Sequence, residues 1–235
     1  MKSVAIYLTN TDRSEFAARN DSDALKVIKR LKGVGAEFDF TVFDVTEGEF
    51  ADDLTRFDAF IVTGSPAFVD DDNGWITHLL DDIRTLHAAN VPLVGLCFGH
   101  QAIIAALGGT VGKKDFWIFG GTEFDVFDTR PWMTPGVDGM KLYAANKAQA
   151  LTLPEGFDLL GGSESCPIAL TACGDSVFTT QFHPEMSDEF IVDLIEEYSD
   201  GLGDAADAAR KSVEEPAQGP LFGEWIRNFI ELDRG

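Results

Sequence analysis

Short apolar runs alternate with segments of helical spacing through the first half of the chain. Val4–Leu8, Phe40–Val45, Ala59–Thr63 and Pro92–Cys97 are brief, apolar and rich in Val, Ile and Phe, which predicts buried strands. Between the first two, Asp23–Leu31 places Leu25, Ile28 and Leu31 on one helical face, with Ser22 as N-cap and Gly33 as the stop. Between the third and fourth, Trp75, Ile76, Leu79, Leu80, Ile83 and Leu86 follow helical spacing within Trp75–Ala89, and Asn90 and Pro92 end the pattern. Strands alternating with helices imply a parallel sheet covered on both faces. Right-handed crossovers then make that sheet doubly wound.

The remainder follows a different rhythm. Gly108–Leu153 is rich in glycine and aromatic residues, alternates at Thr122–Phe127 and has no helical period, which predicts antiparallel strands and loops at one edge of the same sheet. Ser176–Phe182 is a further strand, and Glu185–Tyr198 an amphipathic helix carrying Phe190, Ile191, Leu194, Ile195 and Tyr198. Ser199–Gln218 is a polar connector of partly helical character, and Leu221–Leu232 closes the chain as a helix anchored by Leu221, Trp225, Phe229 and Ile230. The expected architecture is one α/β domain over residues 1–235. It is flavodoxin-like and doubly wound, a mostly parallel sheet with helices on both faces and a small antiparallel edge.

Composition narrows the function more than the fold. The 235 residues are 45% hydrophobic and 25% charged, enough for one sizeable core. The net charge is −22, and only 18 Lys and Arg are spread along the chain. Phosphate backbones need clustered cations, so no nucleic-acid partner is expected; the acidity fits a well-solvated surface, including a salt-adapted one. No apolar run approaches the ~18 residues that span a bilayer, so no membrane segment is expected. Met1–Leu8 reads as a first strand rather than a signal peptide. Cys97, Cys166 and Cys173 are too few and too irregular for a disulfide framework or a zinc site. These features predict a cytoplasmic protein with neither metal nor cofactor.

The candidate chemistry lies in Pro92-Leu93-Val94-Gly95-Leu96-Cys97-Phe98-Gly99-His100-Gln101. An apolar strand ends at Cys97 and a helical run begins at once, the context in which a Gly-x-nucleophile-x-Gly turn has mechanical meaning. Gly95 and Gly99 allow a sharp turn and close packing. The sulfur would emerge at the carboxyl end of the sheet, at a helix N-terminus that favours a thiolate. The backbone N–H of Phe98 would be free to stabilise an oxyanion. The competing assignment is a small buried core cysteine.

A cysteine nucleophile needs a base, and the chain has four histidines. His78 and His87 lie on the Trp75–Ala89 helix as surface residues, and His100 is carried into the helix behind the turn. His183 follows the strand Ser176–Phe182 and shares a rim with Cys97. Glu185, two residues on, can accept the proton of the second ring nitrogen and fix the tautomer; taken on its own, it reads better as a first-turn carboxylate on a helix dipole.

Gly95-Leu96-Cys97-Phe98-Gly99-His100-Gln101 with His183-Pro184-Glu185 resembles the class I glutamine amidotransferases, and most of all the stand-alone, guanylate-synthetase-like branch that includes γ-glutamyl peptidases. Thr63-Gly64-Ser65-Pro66, Gly108-Gly109, Leu153-Pro154-Glu155-Gly156 and Cys166-Pro167 extend the likeness over nearly the whole chain. The resemblance implies attack by Cys97 on the γ-carboxamide of glutamine or a γ-glutamyl compound, protonation of the leaving amine by His183, and hydrolysis of a thioester. It implies a second oxyanion donor at Ser65, with Gly64 beside it, a substrate-holding role for Gln101, and no chemistry for Cys166. It also marks a departure: Asn146 and Ala148 stand where relatives carry a pocket His and Asp, which puts specificity for plain glutamine in question.

No synthase domain or P-loop is present in the chain, so an ammonia acceptor would come in trans, from a synthase subunit. A free-standing hydrolase of a small γ-glutamyl substrate would need no partner. The alternative from another class is a non-catalytic binding or regulatory protein on the same scaffold. A nucleotide-binding flavodoxin analogue is disfavoured, because Thr9–Arg13 lacks a glycine-rich phosphate cradle.

Overall fold

In the computed structural model, residues 1–203 and 205–234 are described; residues 204 and 235, in the expected connector and at the chain end, lie outside the described residues. Five parallel strands form one side of the sheet: β1 (Lys2–Leu8), β2 (Phe38–Asp44), β3 (Ala59–Val62), β4 (Leu93–Leu96) and the last strand, β9 (Val177–Thr180). Between β4 and β9 the chain lays down β5 (Thr110–Val126), β6 (Gly139–Thr152), β7 (Asp158–Gly162) and β8 (Leu170–Cys173). The spatial order is β2-β1-β3-β4-β9-β8-β7-β5-β6, and every pairing beyond β9 is antiparallel.

Alternation along the central strands divides the core in two. Val4 and Ile6 of β1, Ile61 of β3 and Val94 of β4 face helices α2 (Asp23–Gly33) and α7 (Gly219–Glu231). Ala5, Tyr7, Phe60, Val62 and Leu93 face α3 (Gly74–Ala88) and α4 (Phe98–Ala106). Helices therefore cover both faces, as a buried parallel sheet requires. The first core is dense in aromatic rings: Phe178 stacks on Phe222 at 5.3 Å, and Trp132 packs edge-on against Phe229 at 5.1 Å. Short α1 (Glu15–Arg19), α5 (Asp188–Leu202) and α6 (Ala205–Ser212) complete the fold. α5 and α6 pack around Phe16 and Tyr143.

Several elements differ from expectation, each for a local reason. The buried stripe of α2 is Ala24, Val27 and Leu31, and Leu25 points to solvent. The helix is rotated because Lys26 turns inward, bonded to Asp23 at 2.8 Å and lying 3.4 Å from the Phe190 ring centre. Gly33 is still helical; the left-handed residue that reverses the chain is Gly35, at φ +81°. The helix expected from Glu185 starts at Asp188, capped by the Ser187 side chain on the Phe190 N–H. Glu185 thus sits in a loop before α5, so the helix-dipole role weighed for it does not apply. Within the polar connector, α6 packs on β5, and Ser212 accepts a hydrogen bond from the Gly121 N–H at 2.8 Å.

Phe229 is fully buried between Trp132 and Phe178. Phe229→Ala is expected to destabilise the protein by about 3–5 kcal/mol, read as a lower urea midpoint at unchanged slope.

Candidate active site

The site forms where β4, β9 and the loop after β3 end together at the carboxyl edge of the sheet. Cys97 follows β4 directly and caps α4 with φ +50°, a backbone conformation rare outside glycine. It is held there by its N–H on the Thr180 carbonyl at 2.9 Å and by the Gly99 N–H on the Thr63 carbonyl at 3.0 Å. The two glycines of the turn are steric necessities: a Cβ on Gly99 would lie 2.2 Å from the Val62 carbonyl oxygen, and one on Gly95 would lie 2.7 Å from Gly99. The Phe98 N–H begins α4, where the first amides have no intrahelical acceptor. Its side chain goes elsewhere, into the core against Trp75.

His183 lies just past β9, tied by its N–H to the Tyr143 carbonyl at 2.8 Å. Its Nδ1 is 2.7 Å from Glu185 Oε1, and the Cys97 side chain also acts on the imidazole. Gly64 closes the third side, where a Cβ would lie 2.7 Å from the imidazole Cε1 and 3.7 Å from the Cys97 Cβ. Cys97, His183 and Glu185 are therefore in contact, all three buried. Burial acts to strip the proton from His183. Interaction with Cys97 and with Glu185 outweighs it, and the imidazole titrates well above its ordinary value of 6.5.

The other expected site residues divide into two groups. Gly64, Ser65, Gln101 and Asn146 line one cavity of about 440 Å³ together with Cys97 and His183. Glu185 stands behind His183 and outside the cavity lining. Gln101 is already engaged: its Nε2 donates to the Ala148 carbonyl at 2.8 Å and to Gln181 Oε1 at 3.3 Å. The Asn146 Nδ2 donates to the same carbonyl, while its buried Oδ1 has no donor among the described residues. His100 is sealed in α4, bonded to Thr179 at 2.7 Å, and burial lowers its pKa to about 3. His78 is exposed and stacks on Phe50, whereas His87 is half-buried rather than a plain surface group. Among the described residues no His, Cys, Asp and Glu cluster could hold a metal ion, and no helix is long and apolar enough to cross a membrane.

Two features of the site were not anticipated. Gln181 donates from Nε2 to the Cys97 sulfur at 3.7 Å; its spacing of two from His183 along an extended segment was the available clue. The second is an aromatic wall on the cavity, formed by Phe16, Trp117, Phe119, Phe190 and Tyr198. Trp117 packs edge-on to Phe119 at 6.3 Å, and Phe119 lies 6.0 Å from Tyr198. Trp117 and Tyr198 remain 42% and 41% exposed, so the wall is open to an occupant.

Fold and site together define an α/β protein with a cysteine turn at the carboxyl edge of its sheet and a histidine–carboxylate pair beside it. The profile of the family described as glutamine amidotransferase class-I matches residues 21–189, and the chain belongs to that family. It is 28% identical over 204 residues to gamma-glutamyl peptidase 3 of Arabidopsis thaliana, covering 83% of this chain and 81% of that one. It is 29% identical over 161 residues to a glutamine-hydrolyzing GMP synthase subunit of Sulfolobus acidocaldarius, covering 68% of this chain and 82% of that one. A glutamine amidotransferase from Thermotoga maritima has the same fold, with a TM-score of 0.74 at 18% identity over 98% of both chains.

The raised His183 pKa links the site to the pH dependence of stability. Its contribution to stability is complete below about pH 6.5 and is lost as pH climbs through the raised value. Glu185→Gln removes one of the two charges that raise it. The His183 ring titration, followed by NMR, is expected to move to lower pH; an unmoved midpoint would show that the carboxylate does not set it.

Proposed function

We propose that the protein hydrolyses γ-glutamyl amide bonds, with Cys97 as nucleophile, His183 as proton carrier and Glu185 as its orienter. The observation that carries this is the contact of the three side chains at a cysteine turn, with a cavity opening on the sulfur. The Cys97 thiolate attacks the γ-carbonyl carbon, and the carbonyl oxygen takes up the charge against the N–H groups of Phe98 and of the Gly64–Ser65 segment. As the tetrahedral species collapses, the C–N bond breaks and the departing amine takes the His183 proton. Water then attacks the thioester, gives a proton to His183 and releases the γ-carboxylate and the thiolate.

The aromatic wall favours an amine larger than ammonia as the leaving group. Ammonia has nothing to set against five aromatic side chains, whereas an aromatic or aliphatic amine would bury apolar surface there. Asn146, with its unpaired oxygen, supports contact with a donor on the substrate. A free-standing hydrolase is the form this supports. The amidotransferase form, which delivers ammonia to a synthase in trans, is favoured instead by the likeness to a synthase component.

Cys97→Ala is expected to abolish amine release across a panel of glutamine and γ-glutamyl amides, while the thermal midpoint stays near that of the wild type. Mass spectrometry should detect a glutamyl adduct on Cys97 in the wild type alone; equal turnover by the two proteins would sink the proposal. Trp117→Ala is expected to lower the ratio of kcat/KM for a γ-glutamyl arylamide to that for glutamine by ~10-fold or more, the scale of an apolar pocket contact. An unchanged ratio would favour glutamine and a synthase partner.

A further inference from the structure

The loop that carries Glu185 is gripped from behind by a residue outside the site. Arg30, on α2, donates from Nε to the Pro184 carbonyl at 2.8 Å and from Nη2 to the Met186 carbonyl at 3.0 Å. These carbonyls flank Glu185 on both sides. The grip matters because Glu185 is in a loop, with no helical hydrogen bonds to fix its backbone. Oε2 of its carboxylate is buried without a donor among the described residues, so Oε1 on His183 is its one side-chain anchor.

The rest of the fold makes room for this arginine. α7 crosses α2 with two glycines at the contact. A Cβ on Gly223 would lie 3.1 Å from Arg30 Cγ, and one on Gly219 would lie 2.5 Å from the Pro184 oxygen and 3.0 Å from Arg30 Nη2. The guanidinium is thus sandwiched between the Glu185 loop and a helix that lies beyond residues 21–189, the stretch matched by the family profile. Burial works against its charge, which Glu185, Asp188 and Tyr143 offset, in that order. The groups facing His183 are Cys97 and Glu185.

We infer that Arg30 is a positioning residue for the catalytic base: held between α2 and α7, it fixes the Pro184–Met186 backbone so that Glu185 keeps His183 aimed at Cys97. It touches neither the sulfur nor the cavity. Its effect passes through Glu185, which separates it from a contact that serves folding alone. The inference rests on the roles proposed for Cys97, His183 and Glu185, and its test requires no substrate.

The test follows carboxamidomethylation of Cys97 by iodoacetamide as a function of pH, quantified on the Cys97 peptide, alongside the NMR titration of the His183 ring. Arg30→Met is expected to move the His183 midpoint to lower pH, in the same direction as Glu185→Gln. Adding Arg30→Met to Glu185→Gln should change the alkylation rate by less than ~2-fold, because residues that act through one another are not additive. Arg30→Lys, which keeps the charge and one donor, should recover part of the shift. Should Arg30→Met fail to fold, Gly223→Val displaces the arginine stem and should give a smaller shift of the same sign. A folded Arg30→Met protein with a wild-type titration, or effects that multiply in the double variant, would overturn the inference. With a γ-glutamyl substrate, kcat should fall ~10-fold or more at similar KM, as for loss of an orienting partner. Absence of turnover by the wild type would count against the proposed substrate and leave the Arg30 result standing.

Discussion

The conformation of a single residue organises this molecule. Cys97 occupies a left-handed backbone region that disfavours a side chain by about 1–3 kcal/mol, and the sheet holds it there. Its amide is tied to β9, and the following turn is tied to the end of β3. The absence of side chains at Gly95 and Gly99 lets α4 lie against Val62. Because β9 also delivers His183, the strand pairing that stabilises the turn sets the distance between sulfur and imidazole. Central strands, buried on both faces, are the least deformable part of such a fold.

A second constraint is electrostatic. Three ionisable groups are buried side by side, and an unpaired charge there would be expensive. Cys97 and Glu185 both favour the protonated form of the His183 ring beside them. Few groups mediate this balance. Gln181 donates to the sulfur, Gln101 links Gln181 to the Ala148 carbonyl, and Asn146 donates to that carbonyl too. The β6 segment that carries Asn146 and Ala148 is thus coupled to the Cys97 sulfur through side-chain amides rather than titratable groups.

Much of this was legible in the sequence, for physical reasons. The central parallel strands are short and mostly apolar, and the glycine spacing around Cys97 has few other uses. Other features depend on tertiary contacts that no local pattern encodes. The rotation of α2 follows from an inward Lys26 whose partner ring lies on α5. Glu185 escapes α5 because Ser187 is the better cap. β5 and β6 are longer than their pattern suggests, since glycines at 112, 120 and 121 and a break in register between Lys113 and Ile118 mask the period. The aromatic wall draws on α1, β5 and α5, and Arg30 meets its carbonyl partners more than 150 positions away.

The wall also gives the protein an optical reporter. Of the four tryptophans, Trp75, Trp132 and Trp225 are buried, and Trp117 alone is substantially exposed, at the cavity edge. Its indole is wetted when the cavity is empty and dried by whatever rests against it. The three buried indoles form a constant background of blue emission. Changes at the red side of the spectrum therefore report occupancy, and a ligand can be followed by light alone, before any bond is broken.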